Sequence, residues 1–317
     1  MTRDLPPPEF FEHAGRRLAY RSLGDGDRAV VLTHGLLMDS RMYTALGPTL
    51  AAAGYRVILA DMLGHGASAP VTDMTAHSMP AYGADVIALL DHLGFAQAVI
   101  GGTSLGANVA LEVAAAAPER VRALFLEMPV LENGLAGAAA LFVPLALALR
   151  VSQRAVGAVA TVARKIPRSH FLLDVLIDFL RRDPATSLAI LDGLTFGRTA
   201  PPADVRRRLP HLALVVGHPN DLVHPFSDAD RTARELVRGR LVAADSMYEW
   251  RVRPSRLDTE LREFLRAAWS EPQPVAGVLG GGERVARRFG ATGARAGSAS
   301  RTVRAMGLEI SGRLHAI

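Results

Sequence analysis

Cysteine is absent from all 317 residues, which excludes disulfide frameworks, thiolate metal sites and a cysteine nucleophile together. The first ten residues lack an apolar run. Arg3, Asp4, Glu9 and the consecutive Pro6, Pro7 and Pro8 occupy them, so no secretory signal is read there and a cytoplasmic location is expected. No transmembrane segment is expected either. The uncharged run Asn133–Leu149 is 17 residues, short for a span, and Pro144 interrupts it. It reads as a lid helix buried against a substrate pocket or a partner, whose face would touch a lipid interface only if the lid opened.

The main body also lacks an excess of charge of either sign. Seven of the 36 basic and two of the 31 acidic residues fall in 272–317, leaving 29 of each in the rest of the chain. The net charge of +5 therefore belongs to this tail, which also holds nine of the 29 glycines. Its composition predicts a flexible basic appendage that cannot bury enough surface to fold alone. The neutral core gives no reason to expect a nucleic-acid partner.

What is present is globular: 49% hydrophobic and 21% charged residues. Strand-like runs at 17–22, 29–33, 56–60, 98–101 and 121–127 alternate with helical stretches at 40–53, 79–93 and 105–117. This spacing predicts parallel crossovers and a sheet covered on both faces. After Glu127 the strand signal stops until a run at 212–216, which is followed by a helix at 227–237, a strand at 240–244 and a helix at 255–268. The division expected is an α/β core of residues 1–128 and 210–271, a helical cap of 129–209 and the tail of 272–317.

Gly102-Thr103-Ser104-Leu105-Gly106 joins an apolar strand to a helix. A sharp strand-to-helix turn exposes the Ser104 hydroxyl at the sheet edge, and small residues two positions either side let the backbone pass closely. The helix start supplies oriented N–H groups, that of Leu105 among them, suited to a developing oxyanion. Three further segments stand in order around it. His34-Gly35 follows the run at 29–33. Asp61-Met62-Leu63-Gly64-His65-Gly66-Ala67-Ser68 follows the next run, and Gly217-His218-Pro219-Asn220-Asp221 follows the run at 212–216.

These motifs resemble the α/β-hydrolase family over residues 10–270. The resemblance implies a mostly parallel sheet flanked by helices with an inserted helical cap. It also implies Ser104 as nucleophile, Asp221 as acid, and the backbone N–H groups of Leu36 and Leu105 as oxyanion donors. The family's histidine, in a Gly-His pair after the last strand, is missing: its place falls near Met247, and no histidine lies between His224 and His315. A serine hydroxyl needs a neighbour to take its proton. His224 is the leading candidate because its loop already sits at the sheet edge. His218, His77 and His170 are the other imidazoles, and Glu249 a carboxylate alternative. His34 and His65 read as residues that hold backbone in place. His34, Met247 and Trp250 are the candidate substrate contacts, though the segment around Met247 also reads as a short strand or turn that packs its aromatics on the core.

The function expected is hydrolysis of a small, apolar carboxylic ester, lactone or related acyl compound through a Ser104 acyl-enzyme, without metal or cofactor. The alternative is a small-ligand binding protein that lost its base. Other cofactor-free chemistry in the same pocket, perhydrolysis included, would use the same parts.

Overall fold

The computed structural model describes residues 5–151, 182–221, 223–246 and 249–271. Met247, His170, the tail of 272–317 and residues 152–181 of the expected cap lie outside the described residues. Eight strands form one sheet: β1 (Glu9–His13), β2 (Arg16–Leu23), β3 (Arg28–Thr33), β4 (Tyr55–Asp61), β5 (Ala98–Thr103), β6 (Val121–Glu127), β7 (Leu212–Gly217) and β8 (Arg238–Ala243). Their order is β1-β2-β4-β3-β5-β6-β7-β8. β1 pairs antiparallel with β2 and β2 with β4, and every later pairing is parallel.

Strand alternation builds a core on each face of the sheet. Val31, Ile100, Leu124 and Val215 point to one side, where α2 (Met79–His92) and α3 (Leu105–Ala116) contribute Leu89, Leu90 and Val109. Val30, Val99, Phe125 and Leu214 point to the other. There α1 (Leu46–Ala52) and α9 (Ser255–Ser270) bring Leu50, Leu257, Leu261 and Phe264. Successive residues of one strand thus enter opposite layers, and the strands read as continuous apolar runs because both faces are covered.

Between β6 and β7 the described residues form helices: α4 (Gly134–Val151), α5 (Pro184–Phe196) and α6 (Ala203–Arg206). α4 departs from the expected burial. Only Gly134, Ala146 and Leu149 are buried, while Leu135, Leu141, Val143 and Leu147 are exposed. It is long and apolar enough to cross a membrane by length and composition. One stripe nevertheless packs on the protein: Phe142, Leu145, Ala146 and Leu149, at helical spacing, meet Leu36, Leu37, Leu188 and Leu191. A single stripe covers about one third of a helix surface, so the remaining apolar side chains stay uncovered. The chain then continues through α7 (Phe226–Glu235) and a short α8 (Glu249–Val252). The segment around Met247, read as strand or turn, is a bend at Asp245 and Ser246 and a helical turn from Glu249 in its described residues.

Parallel register brings the functional loops to one edge. Thr33 lies opposite Gly102, Thr103 opposite Glu127, and Glu127 opposite Val216. Residues just beyond these strand ends, His34 to Met38, Ser104, Met128 and His218 to His224, therefore gather at the carboxyl edge of the sheet, where ligands bind in open α/β folds.

Candidate active site

Ser104 sits between β5 and α3 with φ 55° and ψ −111°, a backbone conformation in the positive-φ region that side chains rarely adopt. Such a residue costs of order 1–3 kcal/mol and persists only where its surroundings fix it. The neighbouring glycines make the turn feasible. A Cβ on Gly102 would lie 2.2 Å from the Thr33 carbonyl oxygen, and one on Gly106 only 2.0 Å from the same atom. The Thr33 hydroxyl donates to the carbonyls of Gly101 and Gly106, stitching β3 to both sides of the turn. The Ser104 N–H donates to the Glu127 carbonyl at 2.8 Å.

The serine hydroxyl meets a histidine. His224 Nε2 lies 2.8 Å from Ser104 Oγ, and His224 Nδ1 lies 3.0 Å from Asp221 Oδ2. The other carboxylate oxygen, Oδ1, accepts the backbone N–H groups of Val223 at 2.9 Å and His224 at 3.0 Å. One side chain thus folds the loop and orients the ring that the loop carries. Burial alone would push the Asp221 carboxyl up. The His224 side-chain hydrogen bond and charge outweigh it, aided by the two N–H donors, and hold Asp221 down at about 2. An ionised Asp221 can only accept, so it selects the tautomer with Nδ1–H, and in that neutral ring the Nε2 lone pair faces the serine hydroxyl.

A cavity of about 780 Å³ opens over these groups. Leu36 and Leu105 border it, as do Ser104, Asp221 and His224. The N–H of Leu105 is the first of α3 and has no acceptor within the helix. Met38, Met79, Leu135, Phe142 and Leu191 supply apolar walls, α4 and α5 contributing the last three. Trp250 also borders the cavity; its ring packs edge-on against Phe125 and its Nε1–H donates to Asp258.

Other expected residues lie elsewhere. His34 is a correction to the substrate-contact reading. It is wholly buried, its Nδ1 is 2.9 Å from the Gly35 carbonyl, its Nε2 accepts the Met62 N–H, and it does not border the cavity. A ring with both nitrogens committed to backbone fastens the β3 and β4 loops together and has nothing left to offer a ligand. His77 is equally buried, between the Tyr82 hydroxyl and the Val71 carbonyl. Glu249 pairs with Arg256 and accepts the Asp245 N–H, so its carboxylate is already occupied.

One cavity-lining group escaped the sequence reading, Glu127, the last residue of β6, which takes the candidate imidazole His218 as its partner. His218 Nε2 lies 3.2 Å from Glu127 Oε1, with both side chains buried. A carboxylate closing an apolar strand was the available signal.

Residues 28–170 match the family model described as alpha/beta hydrolase fold. The acetyltransferase component of an acetoin cleaving system from Pseudomonas putida is 40% identical over 122 residues, 38% of this chain and 32% of that protein. Bifunctional epoxide hydrolase 2 from Sus scrofa is 36% identical over 133 residues, 39% of this chain and 24% of that protein. The chain therefore spans about a third or less of the length of these two curated relatives. Among solved structures, the enol-lactonase from Burkholderia xenovorans LB400 superposes with a TM-score of 0.66 at 20% identity, covering 81% of this chain and all of that one. With a mostly parallel eight-stranded sheet and the matched sequence segment, the chain has the α/β-hydrolase fold.

Proposed function

We propose that the protein is a serine hydrolase that cleaves a neutral, apolar carboxylic ester or lactone. The observation that carries this reading is the hydrogen-bonded line from Ser104 Oγ through His224 to Asp221. Ser104 Oγ attacks the substrate carbonyl while His224 Nε2 takes its proton, and Asp221 stabilises the imidazolium that results. The N–H groups of Leu36 and Leu105 receive the charge on the carbonyl oxygen. Collapse expels the alcohol, protonated by His224. A water deprotonated by the same nitrogen then cleaves the acyl-serine and restores the hydroxyl.

A serine alkoxide favours acyl over epoxide substrates for a chemical reason. Attack on an epoxide leaves an ether, which has no carbonyl for water to attack, so the enzyme would not turn over. The cavity supports an uncharged substrate. Among the described residues its lining holds no lysine or arginine that would pair with an anion. Residues 129–209 act in this reading as a cap over a core of 1–128 and 210–271, with α4 and α5 supplying apolar wall.

The test is labelling with a fluorophosphonate probe together with hydrolysis of p-nitrophenyl esters of graded acyl length, for the wild type and Ser104→Ala. The expected result is labelling and turnover that Ser104→Ala abolishes. A wild type indistinguishable from the variant overturns the reading.

A further inference from the structure

We propose that Glu127 and His218 form a positioning pair that sets the alignment of Ser104 with His224, an inference that rests on the serine-hydrolase reading. The two residues belong to neither the nucleophile turn nor the acid–base pair; Glu127 touches the first, and His218 opens the loop that carries the second. Glu127 ends β6 and engages β5 twice. Its carbonyl accepts the Ser104 N–H at 2.8 Å, and its Oε2 accepts the hydroxyl of Thr103, the residue before the nucleophile. His218 opens the loop that carries Asp221 and His224, directly after β7. Its Nδ1 lies 3.2 Å from the Ser246 carbonyl beyond β8. The 3.2 Å contact between His218 Nε2 and Glu127 Oε1 therefore joins the nucleophile's side of the site to the base's side.

Proton placement makes this contact attractive. With Nδ1–H donating to the Ser246 carbonyl, a neutral His218 would turn its Nε2 lone pair toward a carboxylate oxygen. One additional proton within the pair converts that repulsion into attraction. Thr103, Glu127 and His218 are each at most 3% exposed, so little water screens the interaction. Further along, Met128 N–H donates to the Val216 carbonyl and Ala244 N–H to the Gly217 carbonyl, which ties the same strand ends by backbone. The side-chain pair adds what those ladders cannot: a restraint on where the 218–224 loop stands relative to Ser104. The strained Ser104 backbone needs such external fixing.

The test is a double-mutant cycle of Glu127→Gln and His218→Gln, reading kcat and KM for a p-nitrophenyl ester, the fluorophosphonate labelling rate and the thermal midpoint. Each single variant is expected to lower kcat and labelling at least 10-fold, with KM within about twofold of wild type. The double variant is expected to stay within about threefold of the weaker single, because both changes break one link. Single variants with near-wild-type kcat overturn the proposal, as do multiplicative losses or losses that follow only the thermal midpoint. Ring nitrogen NMR of His224 supplies a readout independent of turnover. Glu127→Gln is expected to shift the His224 Nε2 signal, and an unmoved signal overturns the pair's role even in a protein with no esterase activity. Failure of wild-type labelling would count against the hydrolase reading alone.

Discussion

Asp221 grips His224 twice: Oδ1 accepts the His224 backbone N–H, and Oδ2 faces the ring Nδ1, each at 3.0 Å. Acid and imidazole therefore travel on one loop and cannot drift apart independently. Asp221→Asn keeps the shape but removes the charge that selects the tautomer, and is expected to lower kcat by about 10³–10⁴-fold. His224→Ala should lose at least as much. Glu249→Gln should stay within about threefold of wild type, since Glu249 is engaged with Arg256 rather than with Ser104. Ester turnover for the three variants decides among the candidate bases. An inactive Glu249→Gln beside an active His224→Ala would move the base to the carboxylate.

The strands from β3 to β7 were legible because parallel strands covered on both faces read as apolar runs. β1 was not. Its Glu9-Phe10-Phe11-Glu12-His13 has only two apolar residues among five, lacks the alternation of a half-buried strand and follows three prolines. The Ser104 turn was legible from glycine spacing, because its geometry is local. The place of the imidazole was legible only as one of several options. Nothing in Asp221-Leu222-Val223-His224 states that the aspartate will bend the loop back by accepting two N–H groups. Glu127 was hidden for a different reason: it ends a run of apolar residues, and its partner His218 arrives from far along the chain.

Gly106 tests the turn itself. A Cβ there would meet the Thr33 carbonyl oxygen at 2.0 Å, and neither backbone can yield without disturbing β3 or α3. Gly106→Ala is expected to cost about 3 kcal/mol in urea unfolding and to slow fluorophosphonate labelling. Normal stability and labelling would mean that the turn relaxes freely.

Asp228 tests the anchorage of α4. This fully buried carboxylate accepts the N–H groups of Leu131 at 2.7 Å and Gly134 at 2.8 Å, with Asn133 more distant at 3.3 Å. It thereby satisfies donors at the start of α4 from the first turn of α7, which follows the His224 loop. Asp228→Ala would leave them unpaired and is expected to cost about 3 kcal/mol. It should also raise KM more than it lowers kcat, because Leu135 and Phe142 on α4 border the cavity. Asp228→Asn keeps one acceptor oxygen and should recover part of the loss. Urea unfolding and KM measured on the same preparations check both halves; unchanged values would release α4 from this anchor.

The buried histidines set the acid limit of the fold. Burial is the leading cause that lowers His34, His77 and His211 and drives His65 well below the ordinary histidine value of 6.5. The unfolded chain binds protons at these sites as the pH drops below about 6.5, whereas the folded chain resists them. Their contribution is therefore complete above about pH 7 and declines as the pH falls. Asp221 acts in a lower window. Held at about 2, its stabilisation is present above 3.8 and disappears as the pH falls toward 2. The thermal midpoint should accordingly be level from about pH 7 to 8 and drop between about 6.5 and 5. His65→Gln removes one resisting group whose Nδ1 lies 3.0 Å from the Leu63 carbonyl. The variant should be less stable at pH 8, but its deficit should shrink by about 1.4 kcal/mol for each pH unit below the unfolded value. Parallel stability curves for wild type and variant would show that His65 takes up its proton as readily folded as unfolded, which a ring 1% exposed cannot do without opening the structure.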